Sequence, residues 1–560
     1  MIRALVFSIV AALVPQQLPS RDAVAQTGTA SISGVVIAAA DKQPIAYARV
    51  VLNNSTRITY TNAKGEFLFP KLPAGPYAIS AQASGYLAMS LGQSQSGRPG
   101  VAQVLAAGEE RKGVILVMHK GGIVSGHVVG PDGRPLAEAA VWPLRRMWAQ
   151  DGRAVFNTTI QGVRTDDRGD YRIPGLIAGS YQVYVVPPQI LGREDSTVID
   201  EPQRLANEGM ILTFYPGTTD PAGAVALKVE VDAERAGVDF SIRPVPMWIV
   251  NGRVDGVVTD ASQRPTAGGT AQVNAGFVRL VPSANAADVA LAPEFSRAFT
   301  RVGPDGRFRF EAVPAGPYQL LYARGSNGTN SAYGVSTVTV VDRDVEDAAV
   351  TAETAANISG DTLVSNAAGR SIAAPAFGLI PLTGPWRSYS SFVTARTDAS
   401  GTFTINGMSP GRYAFRLTAP TDTVYLKRIE IDGVPATGTL IDIGTSDLKN
   451  VRVTFGTDAA EVSGNVRHED LSPVTEYALV VFPADKREWP IWMSGAGVTR
   501  ADSAGHYKYA VKPGAYLIAA VEDVDQFQWL DPAFLESLIP TATKITLGPS
   551  QKLTQDFVVK

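Results

Sequence analysis

The chain has 560 residues, a formal net charge of -3 and no cysteine. Length allows about three to five domains, and near-neutral charge without a basic stripe argues against nucleic acid or an anionic membrane as the main partner. The lack of cysteine excludes disulfide staples, so each domain must rest on its own apolar core.

The N-terminus reads as a secretory leader. Arg3 supplies a short positive region, Ala4 to Val14 is apolar, and Ala23-Val24-Ala25 offers a small-x-small cleavage site. This predicts a signal peptide over residues 1–25 and a mature chain starting at Gln26. The apolar run is shorter than the roughly 20 residues needed to cross a bilayer, and no later stretch reaches that length. A secreted, periplasmic or extracellular chain with no membrane-spanning segment is expected.

A signature of about seventeen residues then recurs. The first copy is Thr61-Asn62-Ala63-Lys64-Gly65-Glu66-Phe67-Leu68-Phe69, running on to Leu72 and Gly75-Pro76-Tyr77. The second runs from Thr165-Asp166 through Gly169 to Gly179-Ser180-Tyr181. The fourth runs from Thr397-Asp398 through Gly401 to Gly411-Arg412-Tyr413. Looser copies sit at Asp305-Gly306 to Tyr318, where Val302-Gly303-Pro304 replaces the Thr-Asp opening, and at Asp502 to Tyr516, one residue shorter between its glycines.

Each copy is preceded by a strand with an embedded glycine: Gly34, Gly126, Gly252, Gly360 and Gly464. Each is followed by an alternating closing strand, as in Val114 to Met118, Val238 to Ile242, Val451 to Phe455 and Phe557 to Val559. The third closing strand is expected near Ala348 to Thr351. Within the signature, Asn62 or Asp166 closes a turn with its side chain, and Gly65 or Gly169 takes positive φ. Every second residue after the turn is apolar, which places one face inward, as in an antiparallel sandwich. The Tyr two residues after the second glycine is expected to bond nearby backbone through its hydroxyl, like a tyrosine corner.

The expected fold is therefore all-β: a tandem array of about five antiparallel seven-stranded β-sandwich domains. The boundaries expected are residues 26–120, 121–245, 246–352, 353–456 and 457–560, the third and fifth divergent. Residues 189–209 read as a polar loop with a short helix. Trp529 to Leu538 reads as one or two helical turns with Asp531 as N-cap and Pro532 at the first helical position.

The layout Ser-Gly-x-Val, then Pro-x-x-x-Ala-x-Val, then Thr-Asp-x-x-Gly-x-Phe-x-Phe-x-x-Leu-x-x-Gly-x-Tyr resembles the carboxypeptidase regulatory-like domain. The first copy, Ser31 to Met118, carries it most cleanly. The resemblance implies a transthyretin-like seven-stranded sandwich of the carbohydrate-binding-like group, without catalytic activity of its own. Tandem arrays of this kind resemble long secreted proteins of environmental bacteria.

The residues point the same way on chemistry. Only four histidines exist, His119, His127, His468 and His506, and none sits in a zinc-ligand pattern. No Gly-x-Ser-x-Gly elbow and no P-loop are present. No catalytic residue, metal or cofactor is expected, and the chain is expected not to be an enzyme. The candidate ligand-binding residues are Trp142, Trp148, Trp386, Trp489 and Trp492, read as standing in connections ahead of the signature hairpin. A flat ring in a loop stacks on the apolar face of a pyranose while polar neighbours bond its hydroxyls. The same rings can instead plug the open end of a sandwich. The expected partner is a polysaccharide or cell-surface glycan. The alternative is a structural spacer or scaffold that binds extracellular protein through exposed sheet edges.

Overall fold

The computed structural model describes residues 28–559 except 54–56, 94, 99, 149–153, 159, 189–207, 257–274, 284–288, 291–298, 327–328, 366–373, 385–392, 419–423, 476, 490–496, 523 and 526–527. The leader expected over residues 1–25 lies outside them. The described chain is all-β, with one α-helix, Pro532–Leu538. That helix is capped as expected, Asp531 Oδ1 accepting from Ala533 N at 3.0 Å with Pro532 at its start.

The first copy of the signature shows the plan. The opening strand Ala30–Ala38 lies between the hairpin strand Glu66–Leu72 and the closing strand Glu110–Met118. A second sheet orders Arg57–Tyr60, Arg49–Leu52, Ile79–Gln82 and Met89–Ser90. Phe67, Phe69 and Leu72 point inward from the hairpin strand, their neighbours outward. They meet Val50, Leu52, Ile79 and Ala81 of the second sheet in one core. The same inward alternation recurs in Asp170–Leu176 and Thr402–Met408. Separate apolar clusters of this composition surround the other four copies.

One pairing departs from the antiparallel expectation. In every copy the opening and closing strands run parallel: Ala30–Ala38 with Glu110–Met118, Pro244–Asp255 with Val345–Thr351, and Ala356–Ser365 with Leu448–Gly456. Gly122–Val129 and Ala460–Arg467 each pair in parallel with two short closing strands. Parallel neighbours need a long crossover, and here the second sheet is that crossover. Periodicity reports which face is buried, not strand direction.

The embedded glycine has a common cause. A Cβ on Gly34, Gly126, Gly252, Gly360 or Gly464 would fall 1.7–2.2 Å from a carbonyl oxygen of the closing segment, that of Val114, Val238, Ala348, Val451 or Gln555. In the first, third and fourth copies the parallel register also shifts at this glycine. The closing segment kinks toward the opening strand, and only a residue without a side chain leaves room.

The signature turn is closed as its sequence predicts. Asn62 Oδ1 accepts from Lys64 N at 2.9 Å and Glu66 N at 3.0 Å, and Asp166, Asp398 and Asp502 repeat the pattern. Gly65, Gly169, Gly306, Gly401 and Gly505 all hold φ between +73° and +85°. In the third copy Gly303 occupies the capping position, and Asp305 accepts from Arg307 N in its place. The tyrosine expectation is met in all five copies. The hydroxyls of Tyr77, Tyr181, Tyr318, Tyr413 and Tyr516 donate to the carbonyls of Pro73, Ile177, Pro314, Ser409 and Lys512, each four residues back, at 2.7–2.9 Å.

Candidate functional site

Trp142 and Trp148 stand in the nine-residue strand Ala140–Trp148, not in a connection. The alternation expected of a strand is missing because both faces are covered. Val141 packs with Tyr181 and Val183 on one side, and Leu144 with Tyr184, Val186 and Phe214 on the other. Trp142 is half-buried, and Gly162 lies so close to its indole that a Cβ there would fall 2.6 Å from the ring. Trp148 is half-buried with the Arg146 guanidinium 5.7 Å from its ring centre. Between them Arg145 is buried and donates to Ala178 O at 3.1 Å.

Trp489 follows the 3-10 turn Lys486–Glu488, in a connection as expected, yet it is only 3% exposed. Its Nε1 donates to Pro483 O at 2.7 Å, and its ring meets Phe482 edge-on at 5.7 Å. It joins Leu535 and Leu538 of the helix in a cluster over the sheet of Ala478–Pro483 and Gly514–Val521. So placed, the indole plugs the sandwich and offers no face to a sugar. Trp386 and Trp492 lie outside the described residues.

The connection bearing Trp489 nonetheless borders a cleft of about 310 Å³ where the fourth and fifth copies meet. Tyr425, Lys427 and Asp458 line one side, and Pro483, Asp485, Glu488, Lys512 and Pro513 the other. Its charges are matched in place. The Tyr425 hydroxyl donates to Asp458 Oδ1 at 2.7 Å, and Lys427 Nζ lies 3.7 Å from the same carboxylate. Lys512 Nζ meets Glu488 Oε2 at 2.5 Å, and Arg487 meets Asp485 at 2.6 Å.

The protonation states follow. Burial, then the Asp458 hydrogen bond, pushes the Tyr425 phenol far above its ordinary value, so it stays a donor. That same hydroxyl holds Asp458 below the usual carboxylate range. Hydrogen bonds from the Arg487 side chain and backbone bring Asp485 down to about 2. Near neutral pH none of these three sits near its own pKa, which disfavours them as general acid or base. The cleft offers fixed donors and acceptors between proline and tyrosine walls, an arrangement suited to holding a ligand.

The histidines are engaged separately. His119 Nδ1 lies 2.6 Å from Asp232, whose other oxygen accepts from Lys120 N, and His127 Nδ1 lies 3.0 Å from Asp170. Among the described residues no group of three or more His, Cys, Asp and Glu stands together as a metal site. Among the same residues no helix is long and apolar enough to cross a membrane.

With this geometry in view, comparison with known proteins places the first copy. Residues 31–100 match the family model of the carboxypeptidase regulatory-like domain. The match begins at the opening strand of this regulatory-like domain and ends in the connection before its closing strand. No curated protein matches the chain. Among solved structures it is similar to the Bacillus anthracis TIE protein, at 10% identity over 92% of this chain and 66% of that one, TM-score 0.14. It is also similar to the full-length major pilin RrgB of Streptococcus pneumoniae, at 9% identity over 95% and 100%, TM-score 0.17. The minor pilin GBS52 of Streptococcus agalactiae shares 16% identity over 39% and 96%, TM-score 0.20. Superpositions this loose carry no functional argument.

Sequence reasoning missed Tyr425, Asp458 and Lys512. Each sits in or beside an unremarkable strand or turn, and only the packing of two copies brings them together. Asp485 and Glu488 flank the basic pair Lys486-Arg487 before Trp489. That clustering of charge is the one local signal of these two residues in the sequence.

Proposed function

We propose that this chain is a secreted, non-enzymatic array of five β-sandwich modules, divided as residues 26–120, 121–245, 246–352, 353–456 and 457–560, that binds carbohydrate. The observation that carries the reading is the cleft between the fourth and fifth modules. Its charged groups neutralise one another, so a charged ligand gains little, while Pro483, Pro513, Pro549, Tyr425 and Tyr516 supply flat faces beside the paired polar groups. A neutral polyhydroxylated ligand suits such a lining. Trp142 and Trp148 are the secondary candidates, and the glycan is extracellular or periplasmic.

The test is affinity electrophoresis of the mature chain against plant, fungal and bacterial polysaccharides. Retardation by one polymer, abolished by Lys512→Gln and unchanged by Lys112→Gln, supports the cleft. Loss on Trp142→Ala alone moves the site to the second module. Free migration in every gel rejects glycan binding. The scaffold reading then stands, and burial of Trp489 already favours it.

A further inference from the structure

The first and fifth copies of the signature touch. Gly92, Arg98, Ala102 and Val104 of the first copy meet Arg500, Ser503 and Asp525 of the fifth, some 400 residues later. Arg98 Nη2 lies 2.8 Å from Asp525 Oδ1, with the Arg98 side chain only 11% exposed. Arg500 Nη1 donates to Gly92 O at 2.9 Å. Ser503 N donates to Ala102 O at 2.9 Å, and Ser503 Oγ accepts from Val104 N at 3.2 Å. The 3-10 turn Gln528–Leu530 of the fifth copy also packs on strand Ala140–Trp148 of the second.

The serine contact has a specific form. Strand Gln103–Leu105 pairs along one edge with Gly75–Tyr77. Its other edge presents Ala102 O and Val104 N, the two groups that a neighbouring strand residue would bond with its own N–H and C=O. Ser503 supplies the first with its amide and replaces the second with its hydroxyl. It is held in place by its turn, because Asp502 Oδ1 takes both Ala504 N and His506 N. The corresponding turn position in the other copies holds Ala63, Asp167, Pro304 or Ala399, so only the fifth copy has a hydroxyl there.

We propose that the first copy carries a docking surface whose occupant is the fifth copy of the same chain, so that the two copies are closed onto each other in solution. Charge complementarity at Arg98 and Asp525 selects the partner, and Ser503 covers an edge that would otherwise be open to strand addition. This goes beyond the carbohydrate reading and does not depend on it.

Small-angle scattering of the mature chain tests it. A compact chain of this length has a radius of gyration of about 24 Å, and five modules in a straight row about 50 Å. The closed form is expected below about 35 Å on the same scale. Arg98→Asp and Asp525→Arg each set like charges against one another and are expected to raise the radius by a third or more. Combining them in one chain restores the pair and should restore the wild-type radius, which separates opening from misfolding. Lys112→Asp, at the exposed Glu110 pair, should change nothing. A wild-type radius near that of a straight row overturns the proposal. So do single reversals that keep the wild-type radius, or a double reversal that stays open.

Discussion

At the scale of single residues, the repeat is a set of answers to one steric problem. The closing segment kinks into the opening strand, and Gly360 faces Val451 O so closely that a Cβ would sit 1.7 Å from it. The obstacle is backbone held in a ladder, so it cannot swing aside. Gly360→Ala is expected to cost about 3 kcal/mol, at the upper end of ordinary overpacking. Hydrogen exchange in Thr402–Met408, paired to that strand, should then speed by roughly a hundredfold. The corner tyrosines are milder. Tyr181→Phe leaves Ile177 O without its 2.7 Å donor and should lower the second copy's stability by about 1 kcal/mol. A thermal melt showing no change there would mean the ring alone matters. The aromatic two residues after the turn glycine adds a variation: Tyr171 and Tyr507 donate to Val238 O and Gln555 O at 2.6 Å, the very carbonyls that exclude a side chain from Gly126 and Gly464.

At the scale of elements, the signature turn of the second and fourth copies is a charged device. Asp398 accepts from the Ser400 hydroxyl and from Ser400 N and Thr402 N, and those bonds, the hydroxyl first, hold its pKa below the ordinary value. Asp166 is lowered likewise, chiefly by Asp170 N. A carboxylate with a depressed folded pKa contributes fully above its unfolded pKa of about 4 and loses that contribution as pH falls through the folded value. Melting temperature should hold from pH 6 to about 4 and fall below that. Asp398→Asn with Asp166→Asn should flatten the acid limb; an unchanged limb would assign the acid sensitivity elsewhere. These turns were legible because their chemistry is local. Strand Ala140–Trp148 was not, because its alternation is erased by cover on both faces, and that cover comes from residues as distant as Phe214.

At the scale of the whole molecule, the copies of the signature are not beads on a thread. The second copy's Glu208–Met210 pairs with the third copy's opening strand, Pro244–Asp255, and Ala154–Thr158 pairs with Val289–Ala290. Tyr425 and Asp458 bridge the fourth–fifth junction and form one wall of the cleft. Removing that bridge with Tyr425→Phe should loosen the junction and weaken any ligand held there. Tyr413→Phe, at a corner that does not line the cleft, should leave binding intact while lowering the fourth copy's stability by about 1 kcal/mol. Differential binding and melting of the two variants separates a site effect from a folding effect.

The amino-acid sequence by itself determined the all-β class, the copies of the signature, the turn chemistry and the corner tyrosines. All of these rest on contacts within a few residues or on a period of two, which a linear pattern records. The tertiary structure decided the parallel pairing of first and last strands, the burial of Trp489, the fourth–fifth cleft and the contact of the first copy with the fifth. Each of those is a contact between segments tens to hundreds of residues apart, set by how whole sheets pack, and local residue order carries no record of it.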